Sequence, residues 1–190
     1  WAGPSLSSDG TVLYIGSGDH QEYAINAGNG SKIWSFEAQD AVMSNPTVSF
    51  DDRTIYTGSW DHHVYALHSS DGKLIWQRPL GGQIGSFSQL TPDGKRLLVG
   101  CHDGIVYCLN TATGEILWTF RTGAQVQSDA VISSNGQVLY IGSDDSNVYA
   151  LNTTNGTRLW TFHCGAAAQS GFALSKDGAT VFFGSFDYNI

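Results

Sequence analysis

Basic residues are scarce: nine Lys and Arg stand against 17 Asp and Glu, a formal charge of −8. That is the wrong sign for a phosphate backbone or an anionic bilayer, so no nucleic-acid partner is expected. No stretch approaches the roughly 18 uninterrupted apolar residues of a membrane span, and residues 1–20 lack the basic start and apolar run of a signal peptide. The chain therefore reads as soluble, with no membrane insertion. It opens at Trp1 rather than at a methionine, which suggests a processed product or a piece of something longer. Three cysteines, Cys101, Cys108 and Cys164, are an odd number and too few for a disulfide scaffold. Charged residues make up only 14%, which excludes a coiled coil. Glycine is plentiful, at 23 residues, and aromatics reach 12% within a 41% hydrophobic chain. Such a balance points to tight turns between packed strands.

The strongest signal is internal repetition. The stretch LYIGSGDHQEYAINAGNGSKIW, Leu13 to Trp34, returns as IYTGSWDHHVYALHSSDGKLIW from Ile55, LLVGCHDGIVYCLNTATGEILW from Leu97 and LYIGSDDSNVYALNTTNGTRLW from Leu139. A fifth copy, VFFGSFDYNI, starts at Val181, and the offset is 42 residues every time. Gly16, Gly58, Gly100, Gly142 and Gly184 align, as do Asp19, Asp61, Asp103, Asp145 and Asp187. Tyr23, Tyr65, Tyr107 and Tyr149 follow, and then Trp34, Trp76, Trp118 and Trp160.

Within residues 44–85 the pattern predicts four strands, Asn45–Ser49, Thr54–Ser59, Val64–His68 and Leu74–Gln77. Turn residues separate them: Asp51-Asp52, the tip around Asp61, and Asp71-Gly72. β-branched and aromatic residues fill the strands, and nothing shows helical spacing. Four antiparallel strands in about 40 residues is a β-propeller blade. The chain is predicted to be all-β, one partial propeller over 1–190, with blades at 1–43, 44–85, 86–127 and 128–169 and a partial blade at 170–190. That is about 4.5 blades, part of a larger ring. The recurrent tryptophans Trp34, Trp76, Trp118 and Trp160 are the expected structural fillers between blades.

The string Tyr-Ala-Leu-Asn, three residues, Gly, three residues, Trp, seen from Tyr149 to Trp160, resembles the tryptophan-docking motif of quinoprotein, or pyrroloquinoline quinone (PQQ) type, propeller repeats. Tyr140-Ile141-Gly142-Ser143 and Ser133-Ser134-Asn135-Gly136 fit the same repeat. The resemblance covers the whole chain. It implies a propeller whose relatives include quinone-dependent dehydrogenases, a scaffold lipoprotein of outer-membrane assembly, sensor domains and propellers appended to adenylating enzymes. It also favours an extracytoplasmic location, periplasmic or secreted, in an otherwise undecided compartment. The WD repeat, of similar period, requires recurrent Gly-His and Trp-Asp pairs. Here the docking tryptophans precede Ser35, Gln77, Thr119 and Thr161.

Residues present in every copy are read as structural, and residues that break the pattern at a loop tip as candidates for a site. The aspartate series is taken as hairpin-closing acceptors rather than metal ligands. The pattern-breakers are His20, Trp60, His62, His63, His102, Asp144, Phe186 and Tyr188, expected on the face that carries the blade connections such as 81–85 and 123–127. Histidines and aromatics there suit contact with a protein partner or a small ligand. His62 and His63, as neighbours on a strand, are expected to diverge, which argues against a shared metal. Cys101 and Cys108 are expected to be buried thiols. Three Asn-x-Ser/Thr sequences, at Asn29, Asn152 and Asn155, match glycosylation acceptors, two of them being Asn-Gly turns.

Catalytic quinoproteins, by the resemblance, carry an adjacent-cysteine ring and a metal site of Glu, Asn and Asp. This chain has no Cys-Cys pair, and its three glutamates, Glu22 on a strand, Glu37 at a blade edge and Glu115 in a turn, form no cluster. No nucleophile elbow, zinc-protease motif or phosphate loop occurs. The expectation is a non-catalytic propeller scaffold with no cofactor and no metal, binding a protein or the remaining blades of its ring. The alternatives are part of a PQQ-dependent dehydrogenase, or an accessory or sensor propeller of a larger enzyme.

Overall fold

A computed structural model describes residues 3–187. The first sheet is β1 (Ser5–Leu6), β2 (Val12–Gly16), β3 (Gln21–Asn26) and β4 (Lys32–Glu37). The second is β5 (Thr47–Val48), β6 (Thr54–Gly58), β7 (His63–His68) and β8 (Leu74–Pro79). The third is β9 (Gln89–Leu90), β10 (Arg96–Gly100), β11 (Ile105–Asn110) and β12 (Ile116–Arg121). The fourth is β13 (Ala130–Ile132), β14 (Val138–Gly142), β15 (Asn147–Asn152) and β16 (Arg158–His163), and β17 (Phe172–Leu174) pairs with β18 (Val181–Phe183). All pairings are antiparallel between sequence neighbours. Among the described residues there is no helix long and apolar enough to cross a membrane.

The strands of the second sheet fall where the repeat predicts, the second to fourth with ends within two residues, and the first is much shorter. The first strand of the second sheet shrinks from Asn45–Ser49 to Thr47–Val48. Pro46 has no N–H to give a ladder, and the preceding residues are engaged elsewhere: the Asn45 amide oxygen accepts from Gly3 N, and Pro46 O accepts from Ser5 Oγ.

One irregularity recurs in every complete repeat. The pairing of the third with the fourth strand slips just after Ala24, Ala66, Cys108 and Ala150. Each of these small, fully buried residues lies opposite the docking tryptophan, Trp34, Trp76, Trp118 or Trp160. A small side chain leaves room for the indole to lie over the sheet, and the bulge that follows re-aims the strand.

Two compact units divide the chain, Trp1–Ser88 and Gln89–Ile190. In the first, Tyr14, Trp34, Val42, Ile55, Tyr65 and Leu67 form the core. In the second, Leu98, Val106, Cys108, Val126, Leu139, Ile141, Tyr149 and Leu151 do so. All three cysteines are buried thiols, and burial pushes the Cys108 thiol up to about 12.

Each unit shows how an indole docks. Trp34 Nε1 donates to Ser69 O at 2.8 Å, and Trp118 Nε1 to Thr153 O at 3.0 Å, 35 residues onward in both cases. Gly72 and Gly156 lie flat on these rings; a Cβ there would come within 2.6 and 2.5 Å of the indole. Trp160 has no such cover among the described residues and is 43% exposed, on a strand whose every residue is exposed.

Candidate functional site

The turns between second and third strands hold an aspartate four residues before a tyrosine. Tyr23 Oη donates to Asp19 at 2.6 Å, Tyr65 to Asp61 at 2.6 Å, Tyr107 to Asp103 at 2.6 Å and Tyr149 to Asp145 at 2.7 Å. The other carboxylate oxygen accepts the backbone N–H two residues on, from Gln21, His63, Ile105 or Asn147. Asp61, Asp145 and Asp187 also accept from Gln39, Gly123 and Gly165 N in the blade connections, at 2.9, 2.6 and 2.7 Å. These carboxylates are thus occupied in closing the turn and tying it to the neighbouring connection. The tyrosine contact is one that spacing in the sequence shows but that the repeat alone does not interpret.

Titration follows this bonding. The Tyr23 hydroxyl holds Asp19 below the usual carboxylate range. Burial works against Asp145, but donors from Tyr149, Gly123 and Asn147 outweigh it and keep the carboxyl low. Burial, then the Asp145 carboxylate, push Tyr149 up to about 12.

In the first unit, His20, Trp60, His62 and His63 lie at these tips. Trp60 N donates to Ala41 O, Ala38 N to His20 O and Leu80 N to His62 O, so tips and connections share one end of the sheets. His20 and His62 occupy one repeat position, with φ of 72° and 73°; Gly104 and Ser146 take the same left-handed conformation in later copies. His62 is therefore a turn residue, one position before β7 begins at His63. The His63 ring folds back, with Nδ1 3.0 Å from Asp61 O, and stacks on Tyr65 at 5.8 Å. His20 Nε2 stands 3.9 Å from Asp40. Trp60 is 36% exposed. Among the described residues, no three His, Cys, Asp or Glu side chains converge on a point where an ion would sit.

In the second unit, His102 and Asp144 are half-buried and Phe186 is 63% exposed. Tyr188 lies outside the described residues. The Asp144 carboxylate accepts from Gln169 Nε2 at 2.7 Å and Gln127 Nε2 at 3.0 Å, and Gln127 also donates to Gln125 Oε1 at 2.7 Å. Burial depresses the His102 pKa, and the Asp144 charge offsets part of that. An open cleft of about 250 Å³ lies beside His102, Arg121 and Gln125, and another of about 350 Å³ beside Gln169 and Phe186. The three glutamines were not singled out from sequence, although Gln127 and Gln169 stand where the first two connections have Met43 and Gly85.

Glu22 is enclosed beside Thr57, and Glu37 and Glu115 are exposed. Asn29 and Asn155, in the sequons, accept from Ser31 N and from Thr157 N as ordinary turn residues.

Recurrent sheets, a docked indole in each unit and an Asp–Tyr tip are features of one repeat, and comparison with known proteins agrees. The family model described as outer membrane protein assembly factor BamB matches residues 2–83 and 61–186. Among solved structures, the crystal structure of BamB from Moraxella catarrhalis aligns with a TM-score of 0.77 at 19% identity, covering 93% of this chain and 59% of that one. The chain thus spans 59% of the length of that structure, and the likeness is one of fold, a β-propeller. No curated protein matches the chain. With family matches tiling almost every residue and blade-type sheets throughout, the chain belongs to the BamB-like family of PQQ-type propeller repeats.

Proposed function

We propose that this chain is a non-catalytic propeller scaffold that binds a protein partner through the tip and connection loops of its blades. One observation carries the reading: in each unit, side chains that depart from the repeat gather where the connections run, while the repeated aspartates are consumed by the turns. In the first unit Trp60 offers exposed aromatic surface there, with His62 exposed at the same tip; in the second Phe186 does so, with His102, Gln125 and Asp144 as polar groups at that end. Amphipathic aromatics ringed by hydrogen-bonding groups are the composition of a protein interface. The unbroken 42-residue register across residues 88 and 89 supports treating 1–190 as one partial propeller. The relative's printed description, an outer membrane protein assembly factor, favours a partner from outer-membrane protein assembly and an extracytoplasmic location.

Photo-crosslinking residues placed at 60, 102 and 186 test this against the same residues at 29, 71 and 155, in the turns at the other end of the sheets. Purified assembly-machinery components are expected to crosslink from the first set and not from the second, and the triple variant Trp60→Ala, His62→Ala, His102→Ala should lose at least tenfold in affinity. Full binding by the triple variant removes the proposed face. Stoichiometric uptake of pyrroloquinoline quinone with calcium overturns the non-catalytic reading.

A further inference from the structure

Glu22 departs from the repeat in the core rather than at the rim. Its register position holds Val64, Val106 and Val148 in the other complete copies, all buried. Glu22 is itself 0% exposed, and no other glutamate is buried among the described residues. Facing it from the second sheet is a second departure: Thr57 stands where the other copies have Ile15, Val99, Ile141 and Phe183. Two polar side chains at two positions otherwise apolar have come together, and Thr57 Oγ1 donates to Glu22 Oε2 at 2.8 Å. Ser44 continues the chain, its Oγ 3.4 Å from Thr57 Oγ1 and accepting from Gly58 N at 2.6 Å.

Glu22 Oε1 has no hydrogen-bond partner. A buried carboxylate held by one hydroxyl is far short of the donors an anion needs, which favours the neutral acid. No charge relieves it. Across from Glu22, β2 presents Gly16 and β4 presents Phe36; β6 presents Thr57 and the connection presents Ser44, none of which is charged. Gln21 and Tyr23, its chain neighbours, point to the opposite face. Asp19 and Tyr23 bond to each other, and Glu37 is exposed at the end of β4. Burial pushes the Glu22 carboxyl up to about 8, against the smaller opposing effect of Thr57.

We propose that Glu22, Thr57 and Ser44 form a proton-controlled latch between the first two sheets. With the carboxyl neutral, the chain of hydroxyls closes inside an apolar layer. When the proton leaves to solvent, the carboxylate must recruit water, and β3 and β6 part to admit it. The latch is tighter in mildly acidic than in mildly alkaline surroundings.

The chain has three glutamates, so the side-chain carboxyl carbons of a ¹³C-glutamate-labelled sample give three signals, and Glu22→Gln assigns one by its loss. The Glu22 signal is expected to titrate with a midpoint near 8. Amide-exchange protection of β3 and β6, corrected for intrinsic rates, should fall at least tenfold from pH 5 to pH 8.5 in the native chain. It should stay level in Glu22→Val, which carries the residue of the other copies. The absence of any glutamate midpoint near 8 overturns the proposal, as does equal protection at both pH values in the native chain; that midpoint is read on the native protein whether or not Glu22→Gln folds.

Discussion

Gly30 and Gly72 occupy the same position in consecutive repeats, with φ of 73° and 70°, and differ only in what stands over them. A Cβ on Gly30 meets nothing within 4 Å, whereas one on Gly72 would press into the Trp34 ring. Gly30→Ala should cost only the left-handed backbone penalty, about 1 kcal/mol. Gly72→Ala adds overpacking against a buried indole, for a total of about 2 to 4 kcal/mol. Urea unfolding of the two variants separates these contributions, and equal losses would show that the indole does not rest on the glycine. The Asp–Tyr tip is testable in the same way. Tyr149→Phe removes the hydroxyl donor from Asp145 and should cost about 1 kcal/mol at pH 7. Asp145 titrates below its unfolded value, so its contribution is present above that value and is lost as pH falls. The penalty for Tyr149→Phe should therefore shrink at pH 3, and a penalty that is the same at both pH values would refute the role given to the bond.

At the scale of the strand, one motif has different consequences in different places. Trp118 donates to Thr153 O beneath Gly156, and Trp160, at the same position one repeat later, is exposed. Trp118→Ala should cost about 3 kcal/mol and Trp160→Ala under about 1 kcal/mol. Denaturant midpoints decide this, and matching losses would mean that the indole stabilises its own sheet rather than the contact with the next. The contrast marks what could be read from the sequence. Strands two to four of each repeat, their turns and their order follow from alternation and Asn-Gly or Asp-Gly punctuation, because these are local properties. The contraction of β5 was hidden because Asn45 and Pro46 are committed to residues about 41 positions away. Pattern-breaking placed His102, Asp144 and Phe186 at one end of the second unit, but gave no sign of the glutamine amides around Asp144, whose bonds join consecutive connections. Glu22 was visible as a glutamate in a valine column; its enclosure required the partner strand.

For the molecule as a whole, two groups of carboxyls pull the pH dependence of stability in opposite directions. Hydrogen bonds hold the turn aspartates low, Asp9 at about 2 through Ser7 and Thr11, with Asp19, Asp51, Asp93 and Asp177 also below the usual range. A depressed folded pKa stabilises above the unfolded value and is lost on acidification, so these residues build an acid limb. Glu22 has the reverse sign. Its folded pKa of about 8 lies above the unfolded 4.5, so the unfolded chain releases its proton first, and stability falls as pH climbs between those two values. A net charge of −8 at pH 7 adds self-repulsion in the same direction. Thermal stability should therefore peak near pH 5 to 6, on the acidic side of neutrality, rather than at pH 7 to 8. Calorimetry of the native chain and Glu22→Gln from pH 3 to pH 9 separates the contributions. The variant should keep the acid limb and lose most of the decline between pH 5 and 8, a difference on the order of 3 kcal/mol. What remains of the slope measures the repulsion. Parallel curves would assign the whole decline to surface charge and leave Glu22 without thermodynamic weight.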